Sequence, residues 1–247
     1  MTEITWVSAV VGFATLVQSC TGFGFALISV PFLSLFLDLK IVVPIAVFYA
    51  FLLSAPLSFM MRKDINKKAV LYLTLGSLPG IFVGIEFLKN AKPEFLLVFM
   101  GCILFLYCTY ELLKKKETFI SFNFFWTMIF GLFSGILGSS VGESGPPIVV
   151  YTSCQNWTND QIKSTMLCFF SIQMAGVILM YFADGMYQEK IGQLIITSMP
   201  AFLVGGAIGL LSYRLIKSSH LIYHQVIHLV LLVNGAYIFI SNLMRIT

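Results

Sequence analysis

The chain has 247 residues, of which 58% are hydrophobic and only 11% charged, with a formal net charge of +4. A mean hydropathy of +0.92 excludes a soluble domain of this size, and the small basic excess is read as loop topology rather than as nucleic-acid affinity. Apolar runs of about 18 residues or more recur along the chain, the mark of helices crossing a hydrocarbon core of roughly 30 Å, so composition predicts an all-α, polytopic membrane protein.

The first apolar stretch, 4–37, follows the start "MTEITWVSAVVG", which has no basic n-region and no small-residue cleavage site. It outruns a signal peptide and is expected to belong to the mature fold. "SCTGFGF" (19–25) interrupts it. Further runs occupy 41–61, 69–88 and 95–113, after which the basic segment "KKKETFISFN" (114–123) breaks the pattern. A second set follows at 124–153, again interrupted, then at 161–183, 191–213 and 221–243. The layout predicts one membrane domain over 1–247, with repeat one at 4–113, a linker at 114–123 and repeat two at 124–243.

The two sets resemble each other. An offset of 116 residues lays "GFGFALISVP" (22–31) on "GSSVGESGPP" (138–147), and a slightly longer one lays "GIFVG" (80–84) on "GGAIG" (205–209). Small residues four apart let helix backbones approach closely in lipid. Loop charge bears on whether the broken segments cross. If each dips in and returns, ten of the fifteen Lys and Arg share the cytoplasmic side, against nine on one side if each crosses. Length favours re-entry more clearly. Divided at its glycines, the first broken segment gives pieces of about 15 and about 12 residues, or roughly 22 and 18 Å of helix, each too short to span alone. The prediction is two inverted repeats, each a broken re-entrant segment plus three transmembrane helices. Irregular backbone at membrane depth lines a cavity, and paired broken segments point to a transporter's binding site.

Half-helix N-termini expose unpaired N–H groups and the positive end of a dipole, which suits an anion. In the second loop the expected substrate-binding residues are Gly138, Ser139, Ser140, Gly142, Ser144 and Gly145. In the first they are Gln18, Ser19, Thr21, Gly22 and Gly24. Pro147 is expected to fix the first turn of the helix that follows. Glu143 is the sharpest single residue. An ionisable group inside a membrane costs at least about 2.5 kcal/mol to insert, so it is paired, protonated or functional. Protonated in an anion site, it offers a proton-coupling route; the alternative is a loop that surfaces enough for Glu143 to reach water.

Other polar residues read more plainly. Glu86 and Glu111, near Lys89 and Lys114, are expected at the interface, while Gln173 and Asn234 are expected to form interhelical hydrogen bonds. His220, His224 and His228 recur every four residues, as a proton relay would, although an aqueous helix edge explains them equally. The five cysteines show no CxxC or metal-ligand spacing and are read as helix packing, so neither a metal nor a cofactor is expected.

Two segments, "GFGFALISVPFL" and "GLFSGILGSSVGESGPPIVV", together with the two-repeat layout over essentially the whole chain, resemble the TauE/SafE sulfite-exporter family of anion permeases. That family commonly carries a run of three glycines. Here Phe23 and Phe25 interleave in the first loop, and Ser139, Ser140 and Glu143 occupy the second, a departure that bears on substrate rather than fold. The resemblance implies a non-enzymatic, multi-pass permease of the cell (inner) membrane. It would move sulfite, a sulfonate or another small organic anion by alternating access, with the lipid bilayer as its setting. Two rivals stand beside it, an anion channel and an intramembrane serine protease of rhomboid type. The protease would use Ser144 of "GESG" with His228, whose Nε2 must then lie within hydrogen-bond reach of Ser144 Oγ.

Overall fold

A computed structural model of the protein describes residues 2–21, 24–113 and 123–215, and within them the chain is all helix, with no strand. The first half forms α1 (Thr2–Thr21), α2 (Phe25–Leu33), α3 (Leu39–Met60), α4 (Lys67–Asn90) and α5 (Pro93–Leu113). The second half forms α6 (Phe124–Ser140), α7 (Gly145–Ser153), α8 (Asn159–Ala183) and α9 (Glu189–Leu215). The apolar run expected at 221–243 lies outside the described residues, and with it Asn234 and all three histidines.

Local sequence explains where these helices begin. Asn123, the last residue of the linker, caps α6 by accepting the N–H of Trp126 on its side chain at 3.1 Å. Thr158 opens α8 with a capping box: its hydroxyl accepts from the N–H of Gln161 at 3.2 Å, and the Gln161 side chain accepts from the N–H of Thr158 at 3.4 Å. Among the described residues, α3, α4, α8 and Glu189–Leu211 of α9 are long and apolar enough to cross a membrane.

Both broken segments are broken where the glycines predicted, but the pieces are unequal. α1 has 20 residues and α6 has 17, whereas α2 and α7 have nine each. The leading piece of the first segment is thus longer than the expected 15 residues or so, because α1 continues through Gln18 to Thr21 before it stops. The trailing pieces reach only about 13 Å at about 1.5 Å per residue.

The helices sort into two compact units. One holds α1, α2, α5 and α9, and the other holds α4, α6, α7, α8 and α3 from Val43 onward. Each half of the sequence therefore supplies helices to both units. In the first unit α9 lies along α1. A Cβ at Gly205 would run into the Gly12 backbone, and one at Gly209 would sit 2.6 Å from Ser19 Cβ and 2.8 Å from the Leu16 carbonyl oxygen. In the second unit α4 lies along α6 in the same manner, with Gly80 against Leu132 and Gly84 against Ile136 and Ser139. Only residues without a Cβ permit backbones this close, and the dispersion gained along such a seam is what holds helices together in lipid.

The two seams are alike in kind: Leu16 of α1 faces Gly209 of α9, and Ile136 of α6 faces Gly84 of α4. The two trailing pieces, α2 and α7, begin at Phe25 and Gly145 and differ in where their prolines fall. Pro31 lies inside α2, whereas Pro146 and Pro147 lie in the first turn of α7.

Candidate functional site

The break between α6 and α7 is built from backbone outward. α6 ends when Gly142 adopts φ 77°, a left-handed conformation that a side chain disfavours. The N–H groups of Val141 and Glu143 both turn back to the Leu137 carbonyl at 3.1 Å. Ser144 then precedes α7 without capping it by its side chain. Since Pro146 and Pro147 carry no N–H, the donors this helix end can turn toward a ligand come from Gly145 and the loop before it.

A chain of hydrogen bonds ties this loop to its neighbours. Ser134 Oγ donates to the Ser144 carbonyl at 2.8 Å, and Gln173 Nε2 on α8 donates to Ser134 Oγ at 3.3 Å. Gly138 makes the crossing possible. A Cβ there would sit 2.8 Å from Ser144 Cβ and 3.5 Å from Gln173 Nε2. Two helical turns further along α8, Tyr181 donates its hydroxyl to the Ser139 carbonyl at 2.6 Å.

Glu143 is 1% exposed, and neither carboxyl oxygen has a hydrogen-bond partner. Gln173, also 1% exposed, leaves its Oε1 equally unpartnered. Buried polar groups are nearly always satisfied, so an unpartnered carboxyl in the loop and an unpartnered amide oxygen on the neighbouring α8 make this break stand out. The expectation that Glu143 reaches water does not describe this conformation.

The serine hydroxyls chosen from sequence are mostly engaged. Ser139 Oγ bonds the Gly135 carbonyl at 2.8 Å and that of Ile81 at 3.0 Å, while Ser140 Oγ donates to the Ile136 carbonyl at 2.6 Å. Ser19 Oγ donates to the Thr15 carbonyl at 2.8 Å. Short polar side chains near a helix end bond back in this way to carbonyls one turn earlier.

In the first broken segment Gly24 has φ 105° and opens α2, whose first N–H, on Phe25, is accepted by Gln18 Oε1 at 3.1 Å. Gly22, and the side chain of Thr21, lie outside the described residues.

A separate cavity of about 470 Å³ sits at the other end of α1, walled by Glu3, Trp6, Leu33, Phe36, Asp38 and Lys190. Its charged groups are engaged. Lys190 pairs with Glu3 at 2.7 Å, and Asp38 accepts the Lys40 N–H at 2.8 Å. Glu86 is exposed and paired with Lys89 at 2.9 Å, and Lys89 also reaches Asp184 at 3.2 Å.

Sequence reasoning passed over Ser134 and Tyr181; Gln173 was singled out as an interhelical hydrogen bond, which its 3.3 Å contact with Ser134 of α6 is. Ser134 lies one turn before Gly138 and so shares its face, a signal present in the sequence. Nothing in the sequence announced Tyr181. His228, required by the protease reading, lies outside the described residues.

Residues 7–238 match the family described as Sulfite exporter TauE/SafE. No curated protein and no solved structure matches the chain.

Proposed function

The chain belongs to the sulfite exporter TauE/SafE family, and from that membership we propose that it is a secondary transporter of a small anion such as sulfite or a sulfonate. It works by alternating access as a multi-pass protein of the cell (inner) membrane, built from two inverted repeats. The substrate meets the α6–α7 break, where Gly142, Ser144 and Gly145 supply donors and Gly138, Ser139 and Ser140 form the wall. Gln18, Ser19, Thr21, Gly22 and Gly24 make the counterpart loop of the first repeat.

The observation that carries this reading is Glu143, buried with both oxygens unpartnered beside a helix N-terminus. A charge there costs at least about 2.5 kcal/mol, and a carboxylate would repel an arriving anion. Binding a proton at Glu143 removes both penalties together, which couples proton to substrate.

The test loads proteoliposomes with sulfite, a sulfonate or a carboxylate and follows flux under an imposed pH gradient. At least one anion should move in response to the gradient, and Glu143→Gln should keep binding while losing that response. An unchanged response in Glu143→Gln removes it from coupling. Absence of flux for every anion class removes transport itself.

A further inference from the structure

The hydroxyl network fixes which way the Gln173 carboxamide points. Ser134 spends its only proton on the Ser144 carbonyl, so toward Gln173 it can act only as an acceptor. Nε2 must therefore be the atom that meets Ser134, and Oε1 is turned away as a buried acceptor with no donor. The Gln173 carboxamide stands beside Gly138, where a Cβ would lie 3.5 Å from its Nε2, and Ser134 links it to the Ser144 carbonyl of the break that carries the unpartnered carboxyl of Glu143.

We propose that the ligand brings the missing donor: the site takes a monoanion that carries its own hydroxyl, and Gln173 Oε1 accepts that hydroxyl. The inference rests on the transport-site reading above and names the substrate's protonation state. A fully deprotonated oxyanion has only acceptors to offer. It would satisfy the N–H groups of the loop but set lone pairs against Oε1 and leave it unpaired. A hydrogen-oxyanion serves both, with charged oxygens on the N–H groups and its O–H on Gln173. It also reproduces the hydrogen bond of any water it displaces from Oε1, which an apolar group of the same size does not.

The experiment compares isosteric monoanions that differ by hydroxyl against methyl: hydrogensulfite with methanesulfinate, and hydrogencarbonate with acetate. Each pair is titrated into the purified protein at a pH where both members carry one charge. The wild type should bind the hydroxyl-bearing member roughly 10- to 100-fold more tightly in at least one pair, the factor expected when a buried acceptor is otherwise stranded. Gln173→Met should close that gap, the hydroxyl-bearing member losing more affinity than the methyl member. Equal affinities within every pair that binds, or a gap that survives in Gln173→Met, overturn the inference and leave the transport reading standing. Failure of all four anions to bind, together with no flux in proteoliposomes, overturns both. The wild-type comparison decides alone if the variant is not recovered folded.

Discussion

Tyr181 on α8 donates its hydroxyl to the Ser139 carbonyl of α6 at 2.6 Å, and both residues are fully buried. That carbonyl belongs to the last turn of α6, where the helix provides no N–H of its own. Tyr181→Phe removes the donor and leaves the acceptor stranded, at a cost of about 1–3 kcal/mol. We expect a lower unfolding midpoint in detergent and reduced flux. An unchanged midpoint would mean that another group satisfies Ser139.

The glycine seams predict a steep dependence on a single methyl. Gly80→Ala drives a Cβ into the Leu132 carbonyl and to 3.0 Å from the Ile136 nitrogen, so α4 and α6 must separate. The loss should be about 1–3 kcal/mol, as for other overpacked interiors. Gly192→Ala is the control, since nothing lies within 4 Å of its Cβ, and it should gain about 0.5–1 kcal/mol from a better helix former. Thermal unfolding of the two variants side by side checks the contrast.

At Gly142 the backbone, not space, sets the limit. With φ 77°, Gly142→Ala should cost about 1–2 kcal/mol. Because the strain falls in the loop that carries Glu143, flux should drop more than the unfolding midpoint does. Equal losses would place the effect in the fold alone.

Gln18 is predicted to hold the start of α2 to α1. Its Oε1 accepts the Phe25 N–H, and Gln18→Leu removes that acceptor at a cost of about 1–3 kcal/mol. Gln18→Asn keeps an uncharged amide acceptor on a shorter stem and should retain the midpoint better than the leucine variant. Protease protection of the first loop, read in both variants, distinguishes a loosened loop from a general loss of stability.

Much of this architecture was legible in the sequence, and the reason is periodic. Apolar runs bounded by Asn123, by Thr158 and by the basic linker gave the helices, because caps and charge mark boundaries that lipid enforces. The glycines at 80, 84, 205 and 209 announced tight seams, though not which helix would meet them. α4 meets α6 and α9 meets α1, a pairing across halves that no local pattern encodes. In the site, Glu143 stood out because a charge in an apolar run is visible at once. Gln173 stood out as a polar residue in an apolar run, but its partner Ser134, 39 positions away, did not; nor did Tyr181, which depends on a contact 42 positions away.

The division of each half of the chain between two compact units has a consequence for how the protein is made. The α4 face finds α6 after a short interval, but the glycine-fitted face of α1 has no partner until α9 has been synthesised. At about 5–20 residues per second, that wait is roughly 10–40 s. That face of α1 is thus made long before the helix that fits it, and it must be held in the meantime by lipid or by the insertion machinery.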